Sequence, residues 1–205
     1  KKNIVMEQTQ QTQQTQQTQQ TQQPQYQFPT EEVTLPSKGL IYPEGSPLRS
    51  GKITMKYMTA KEEDILTNQN YIKNGTVIDK LLQSLIVDMT KVEDLLIGDK
   101  NAVLVAARIL GYGQDYTFKY PHPDTGVEEE LTIDLTEAED KLIDESLMIN
   151  GKNEFEFELP TSKMFITFKL LTQADEKLIE QELKGLKKIN KNASPELTTR
   201  LKHVI

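Results

Sequence analysis

The pattern of hydrophobic and polar positions over residues 52–86 predicts a strand followed by two helices. From Lys52 to Tyr57, apolar and polar side chains alternate, as is typical of a half-buried strand. Thr59 and Glu62 then have the spacing of a capping box, in which a hydroxyl and a carboxylate bond the free amides of a first helical turn. Asn74 and Gly75 tolerate a left-handed backbone, so this helical unit is expected to end there.

A second helix starts at Thr76 and carries its apolar residues on one face. These residues recur at helical spacing and are Ile78, Leu81, Leu82, Leu85 and Ile86. Such a face has to be buried, which places this helix at the centre of the predicted core. A further helix over residues 101–110 is apolar nearly all round apart from Arg108, and a helix of that kind is usually surrounded by other elements. Residues 59–110 are therefore expected to form a compact helical subdomain.

Polar residues and glycines divide the end of this subdomain into a turn and a helix. Thr90 and Glu93 have the spacing of another capping box, opening a short turn that Gly98 stops. Asp99 is then expected to cap the helix that follows, and Gly111 and Gly113 to end it.

The second half of the chain predicts antiparallel hairpins. One strand has Tyr116, Phe118 and Tyr120 on one face, and its partner strand has Val127, Leu131, Ile133 and Leu135 on one face with acidic residues opposite. A second hairpin alternates Phe155, Phe157 and Leu159 with glutamates, and answers them with Met164, Ile166, Phe168 and Leu170. Residues 135–149 stay ambiguous, because Thr136 and Glu139 have the spacing to cap a helix there.

Two helices are predicted at the C-terminal end, over about 172–189 and from Ser194 onward. The whole pattern predicts an α+β domain over 59–205, with a helical part (59–113), a β-hairpin part (114–171) and C-terminal helices (172–205). The apolar pattern of residues 201–205 has no helix stop, so we expect the natural chain to continue beyond residue 205.

Two segments without helical periodicity precede this domain. Residues 1–27 hold a tract of only glutamine and threonine, which offers no large apolar surface to offset the entropy of ordering. It is expected to be a solvated flexible arm, an arm that orders along a partner, or an amide-rich segment prone to cross-strand ladders. Residues 28–58 contain a proline-rich extended arm and the first predicted strand. This arm packs either on its own domain or on a neighbouring protein, and the candidate partner-binding residues are Phe28, Leu35, Pro36, Leu40, Ile41 and Tyr42.

Composition argues against several classes of function. The chain has no cysteine, so disulfides and thiolate metal sites are excluded. Its net charge of −7 argues against a nucleic-acid-binding protein, and no apolar run approaches membrane-spanning length. The sequence has no glycine-rich phosphate loop and only two histidines, His122 and His203. We therefore expect no catalytic residues, no cofactor, no metal, and neither a nucleic acid nor a membrane as partner.

Three separated motifs carry a resemblance to a known family. Residues 35–43 read LPSKGLIYP, residues 55–66 read MKYMTAKEEDIL, and residues 98–113 begin with GDKNA and end with GYG. In combination and in this order, they resemble the baseplate hub subunit and hub-assembly proteins of T-even-like contractile-tailed phages, over about residues 28–205. The resemblance implies a structural or assembly protein of the phage tail, located in the virion baseplate or in the host cytoplasm during assembly.

The resemblance also bears on the turn of the first hairpin. Related chains often carry Cys-Pro-x-Cys-Gly there, whereas this chain has HPDTG at residues 122–126. An imidazole takes the place of the first cysteine sulfur, and a threonine hydroxyl takes the place of the second. A hydroxyl is a poor zinc ligand. This turn is therefore expected to hold by its backbone geometry without metal.

Three hypotheses for function follow. The leading one is a non-enzymatic baseplate protein that binds other hub or tail proteins through its proline-rich arm and apolar surfaces, with self-association left open. The alternative is a transient tail-assembly chaperone that keeps a hub protein soluble and is absent from the mature virion. The third, a cell-wall hydrolase, would need an acid and a base in one cleft.

Overall fold

The computed structural model describes residues 28–88, 90–141, 144–148, 151–189 and 194–205. The predicted Gln/Thr arm lies outside these residues. Within them, the α+β class is confirmed, with helices and three antiparallel strand pairs. The helices are α1 (Ala60–Thr67), α2 (Gln69–Lys73), α3 (Val77–Leu85), α4 (Ile97–Tyr112), α5 (Gln173–Ile189) and α6 (Glu196–Val204). The strands are β1 (Thr30–Thr34), β2 (Lys52–Lys56), β3 (Asp115–Pro121), β4 (Glu128–Asp134), β5 (Phe155–Glu158) and β6 (Phe165–Phe168).

The core lies where β2, α3, α4 and the proline-rich segment over residues 35–48 meet. The prediction that α3 lies at the centre of the core is confirmed, because its Leu82 is fully buried in a cluster with residues from all four elements. Ile53 and Met55 point from β2 into the same cluster, and Met55 bridges to Ile86 at the end of α3. The buried apolar cluster comprises Leu35, Ile41, Tyr42, Leu48, Ile53, Met55, Leu81, Leu82, Leu85, Ile86, Val92, Leu95, Leu96, Val103 and Ala107.

Each strand pair is a separate two-stranded antiparallel sheet. Val33 lies opposite Ile53 in the first, Phe118 opposite Leu131 in the second, and Phe155 opposite Phe168 in the third. Residues directly opposite each other share a face of the sheet. The first sheet turns its apolar face into the core, whereas the strands of the second contribute nothing to the buried cluster.

Two helix boundaries differ from the prediction. The helical unit over 59–74 is divided at Asn68, whose Oδ1 accepts from the Asn70 and Tyr71 amides at 3.0 and 3.2 Å and so caps α2. Such a side chain competes with the helical backbone for the same amides. Helix α4 begins at Ile97, before the predicted start, and Asp99 lies buried in its first turn instead of capping it.

Two predicted caps are not formed. The short turn predicted after Thr90 is present as the 3-10 turn Val92–Asp94, but it has no side-chain cap, and the Glu93 carboxylate binds Lys177 at 2.9 Å. Gly98, predicted to stop this turn, lies inside α4. Thr136 caps no helix in the described part of the 135–149 region, where 3-10 turns occur at Leu135–Glu137 and Glu145–Leu147. Positions 142, 143, 149 and 150 lie outside the described residues.

Ion pairs join the C-terminal helices to the rest of the fold. Asp79 of α3 binds Lys100 of α4 at 3.0 Å and Lys177 of α5 at 2.8 Å. Burial of Asp79 opposes its ionisation, yet hydrogen bonds from these two lysines lower the pKa of its carboxyl. On α6, Arg200 makes a two-pronged contact with Glu176 of α5, at 2.8 and 2.7 Å. These ion pairs attach the C-terminal helices to the fold together with the fully buried Ile179 of α5.

Candidate interaction surface

The buried carboxylate of Asp99 fixes the proline-rich segment to the core. It accepts hydrogen bonds from the Ser37 amide at 2.9 Å, the Ser37 hydroxyl at 2.7 Å and the Tyr42 hydroxyl at 2.6 Å. The Tyr42 oxygen in turn accepts from the Leu96 amide at 3.0 Å. Burial, together with the adjacent Asp99 carboxylate, raises the pKa of Tyr42 above its usual value, so its hydroxyl stays a neutral donor. The first and third motifs of the sequence therefore meet at Asp99.

The backbone of this segment is held in successive turns. Gly39 has a φ of 74°, and a Cβ at this position would lie 2.5 Å from the Arg49 carbonyl oxygen, so a larger residue would not fit. The Arg49 guanidinium donates to the Leu40 and Tyr42 carbonyls at 2.6 and 3.2 Å. The motif LPSKGLIYP therefore forms a fixed part of the chain's own fold.

A second buried network centres on Glu62, in the middle motif. Lys56 binds its Oε1 at 2.8 Å and Ser84 donates to the same atom at 2.6 Å, while the Thr59 amide donates to Oε2 at 3.0 Å. The predicted capping box is thus present, but its glutamate is fully buried and links β2, α1 and α3. Burial opposes ionisation, yet these hydrogen bonds lower the pKa of Glu62 to about 2.

The predicted partner-binding residues fall into two groups. Leu35, Ile41 and Tyr42 are buried in the core of this chain. Phe28 is 53% exposed, and the Lys56 ammonium lies 5.4 Å from its ring centroid. Pro36 and Leu40 are half-buried, and Pro36 lines an apolar cleft of about 270 Å³.

A continuous set of exposed and half-exposed side chains, most of them apolar, lies on one face of the β3–β4 hairpin. We call this surface the aromatic hairpin face; its members are Tyr116, Phe118, Tyr120, His122, Val127, Glu129, Leu131 and Ile133. The exposed fractions are 41% for Tyr116, 42% for Leu131, 40% for Ile133 and 61% for Val127. Sequence periodicity identified this face, but it gave no means of knowing that no other element would cover it.

Arg108 attaches the hairpin to the end of α4. Its guanidinium donates to the Gly113 carbonyl at 3.0 Å and the Asp115 carbonyl at 3.2 Å. It also lies over the rings of Tyr112 and Tyr116, at 5.0 and 5.6 Å from their centroids. The aromatic hairpin face is therefore attached to a core helix at its base.

The β5–β6 hairpin also exposes apolar side chains. Phe155 stacks on Phe168 with ring centroids 5.3 Å apart, and Phe155 also packs against the core. Phe157, Met164 and Phe165 stay exposed towards the tip. This hairpin therefore contacts the core through Phe155, whereas no residue of β3 or β4 belongs to the core cluster.

The clefts offer little for catalysis. A cleft of about 500 Å³ is lined by Tyr42, Pro43, Glu93 and Asn153, among others. The Glu93 carboxylate there binds Lys177, which lowers its pKa and makes it a poor proton donor. In the part of the chain that the structure describes, no three His, Asp or Glu residues are grouped as metal ligands would be.

The turn at residues 122–126 has internal backbone bonds of its own. The Gly126 amide donates to the His122 carbonyl at 2.8 Å, and the His122 Nδ1 accepts from the Asp124 amide at 3.3 Å. Gly126 has a φ of 67°, which favours glycine at this position. The prediction that the turn needs no metal stays a prediction.

Comparison with known proteins supplies the family. No curated protein and no solved structure matches the chain. Among the described residues, no helix is long and apolar enough to cross a membrane. Residues 29–195 match a family model described as T4 bacteriophage base plate protein. Because this match spans most of the 205 residues, the chain belongs to the T4 bacteriophage base plate protein family, whose members are parts of the virion tail.

Proposed function

We propose that this chain is a non-enzymatic subunit of the baseplate hub that joins neighbouring hub or tail proteins through its exposed apolar surfaces. The aromatic hairpin face is the observation that carries the proposal. Apolar patches of this kind on an otherwise packed protein mark interaction sites. A two-stranded hairpin is also only marginally stable by itself, so a bound partner would supply the layer that it lacks.

The core and the proline-rich segment have a supporting part in this proposal. Leu35, Ile41 and Tyr42 act indirectly, because they hold the segment in its folded shape. Phe28, Pro36 and Leu40 remain accessible and add contact area beside β1. The two buried networks at Asp99 and Glu62 keep these surfaces in fixed positions, which lowers the entropy lost on binding.

Quantitative mass spectrometry of purified phage particles tests this function. A hub subunit is expected in every particle, at a copy number that is a small multiple of three or six, as symmetric assembly requires. Absence from mature particles, with co-purification of a hub protein from infected cells, would instead support the transient chaperone.

A second assay tests the non-enzymatic part of the proposal. The isolated chain is expected to leave purified peptidoglycan undigested. Release of soluble fragments above a buffer control would contradict it.

A further inference from the structure

We infer that the aromatic hairpin face binds another protein whose contact surface has an apolar centre and a rim of lysine or arginine side chains. This inference rests on the proposed function and adds the chemistry of the partner. Two features of the hairpin carry it, namely an open aromatic ladder and a set of carboxylates without cations.

The ladder supplies the apolar centre. The ring centroids of Tyr116 and Phe118 lie 5.7 Å apart, and those of Phe118 and Tyr120 lie 6.2 Å apart. Leu131 and Ile133 stand opposite the first two rings on β4 and widen the surface. Aromatic side chains in such arrays bury a large area with few rotatable bonds, which is why they dominate binding energy at protein interfaces.

The carboxylates of the hairpin determine the charge that is expected at the rim of the partner's surface. Between residues 115 and 134 the chain has one lysine and six acidic residues, namely Asp115, Asp124, Glu128, Glu129, Glu130 and Asp134. None of these six carboxylates forms an ion pair with a cation in the described ranges. In contrast, the acidic residues Asp79, Glu62 and Glu176 all have lysine or arginine partners. Glu129 lies on the aromatic hairpin face and Asp124 in its turn, whereas the other four carboxylates lie on the opposite face. The hairpin as a whole therefore carries negative charge that no ion pair among the described residues neutralises.

Arg108 shows how a cation fits this surface. Its guanidinium lies over Tyr116 at the base of the ladder, while no cation from the described part of the chain lies over the rings of Phe118 and Tyr120. A partner's arginine or lysine can occupy the equivalent positions over the outer rings, where cation–π and ionic attraction act together.

Charge favours a different protein over a second copy of this chain. Pairing two such faces would bring together two hairpins that each carry six carboxylates and one lysine, and the whole chain has a net charge of −7. Like charges brought together in this way oppose association. The occupant is therefore a basic and partly apolar surface of another protein.

Site-specific photo-crosslinking tests the inference on the full chain in infected cells. Benzoylphenylalanine replaces Phe118 on the aromatic hairpin face, or Thr132 on the opposite face of the same hairpin as the matched control. We expect the Phe118 position to yield one crosslinked protein other than this chain, joined within a segment that contains lysine or arginine. The yield from the Thr132 position is expected to be several-fold lower.

A charge reversal tests the rim separately. Glu129 lies on the aromatic hairpin face opposite Tyr120, whereas Glu130 points to the other face opposite Lys119. Glu129→Lys is expected to reduce the crosslink from position 118 about fivefold, and Glu130→Lys to reduce it less. Circular dichroism of both purified variants checks that they fold.

The outcomes separate this inference from the proposed function. No crosslink from position 118, equal yields from 118 and 132, a crosslink to a second copy, or a partner segment without basic residues would each overturn the inference. The chain's presence in purified particles would leave the proposed function standing in all four cases. Absence of the chain from particles would instead remove the hub-subunit proposal, while the crosslink still decides whether this face has a basic partner.

Discussion

The proline-rich segment over residues 35–48 and the β3–β4 hairpin are both rich in large apolar side chains, yet the first is buried and the second is open. The segment has almost no regular secondary structure to satisfy its backbone, so it depends on the core. The Leu35 amide donates to the Gly51 carbonyl and the Gly151 amide to the Leu40 carbonyl, each at 2.8 Å, and Asp99 binds Ser37 and Tyr42.

The hairpin has the opposite requirement. Its strands satisfy each other's backbone groups, and the Thr117 and Thr132 hydroxyls pair at 2.8 Å, so it can stand without cover. No element among the described residues forms a second layer over its apolar face. A proline-rich sequence can therefore be part of the core when a buried carboxylate anchors it, and a regular hairpin can form an outer surface.

The largest expected effect separates the two regions by stability. Leu82→Ala should lower the free energy of unfolding by about 2–5 kcal/mol, because it leaves a cavity in the core. The control Leu131→Ala, on the aromatic hairpin face, should cost less than about 1 kcal/mol. Urea denaturation measures both, and equal losses would abolish the distinction between core and open face.

The next effect tests the anchor of the segment. Asp99→Ala should cost about 2–3 kcal/mol, because Ser37 and Tyr42 lose their buried acceptor. It should also speed limited proteolysis within residues 35–48. Asp124→Ala, in the exposed hairpin turn, is the control and should change stability by less than about 0.5 kcal/mol. Unchanged proteolysis in Asp99→Ala would show that apolar packing alone holds the segment.

A pH dependence follows from Glu62. The pKa of its carboxyl in the folded chain is about 2, below its ordinary value of 4.5, so its contribution to stability is present above pH 4.5 and is lost as the pH falls towards 2. Glu62→Gln mimics the protonated form. The difference in unfolding free energy between wild type and Glu62→Gln should therefore be largest near neutral pH and shrink towards about pH 2.

Urea titrations of both proteins at several pH values measure this difference. A gap that stays constant with pH would mean that the buried network does not depend on the charge of Glu62.

The smallest expected effect lies on the hairpin. Phe118→Thr keeps a strand-forming residue but removes the middle ring of the ladder, so it should cost less than about 1 kcal/mol of stability. Partner binding, measured by co-purification from infected cells, should nevertheless be lost. A large loss of stability would show that the face supports the fold rather than a contact.

Local patterns predicted much of the fold. Apolar spacing identified α3 as the central helix, and alternation identified both hairpins, because these signals depend on which side chains share a face. The capping pair Thr59 and Glu62 was also found from spacing. The sequence also predicted that the phenylalanines and tyrosines of each hairpin share one face, but it did not predict that this face would stay exposed.

Other features could not be predicted, for a common physical reason. Asp99 and Glu62 both have the spacing of helix-capping residues, but each also binds residues distant in the chain. The boundary at Asn68 was missed because the Asn70 amide can bond either to a helical carbonyl or to the Asn68 side chain, and sequence spacing does not distinguish the two. Of the predicted partner-binding residues, spacing could not distinguish the buried Leu35 from the exposed Phe28.

The sequence by itself determined the classes of element, the central helix and the absence of cysteine chemistry, because periodicity, caps and composition act within a few residues of the chain. Only the tertiary structure decided that the proline-rich segment belongs to the core and that the aromatic hairpin face stays open. Burial depends on which distant elements come to cover a surface, and local patterning carries no information about that.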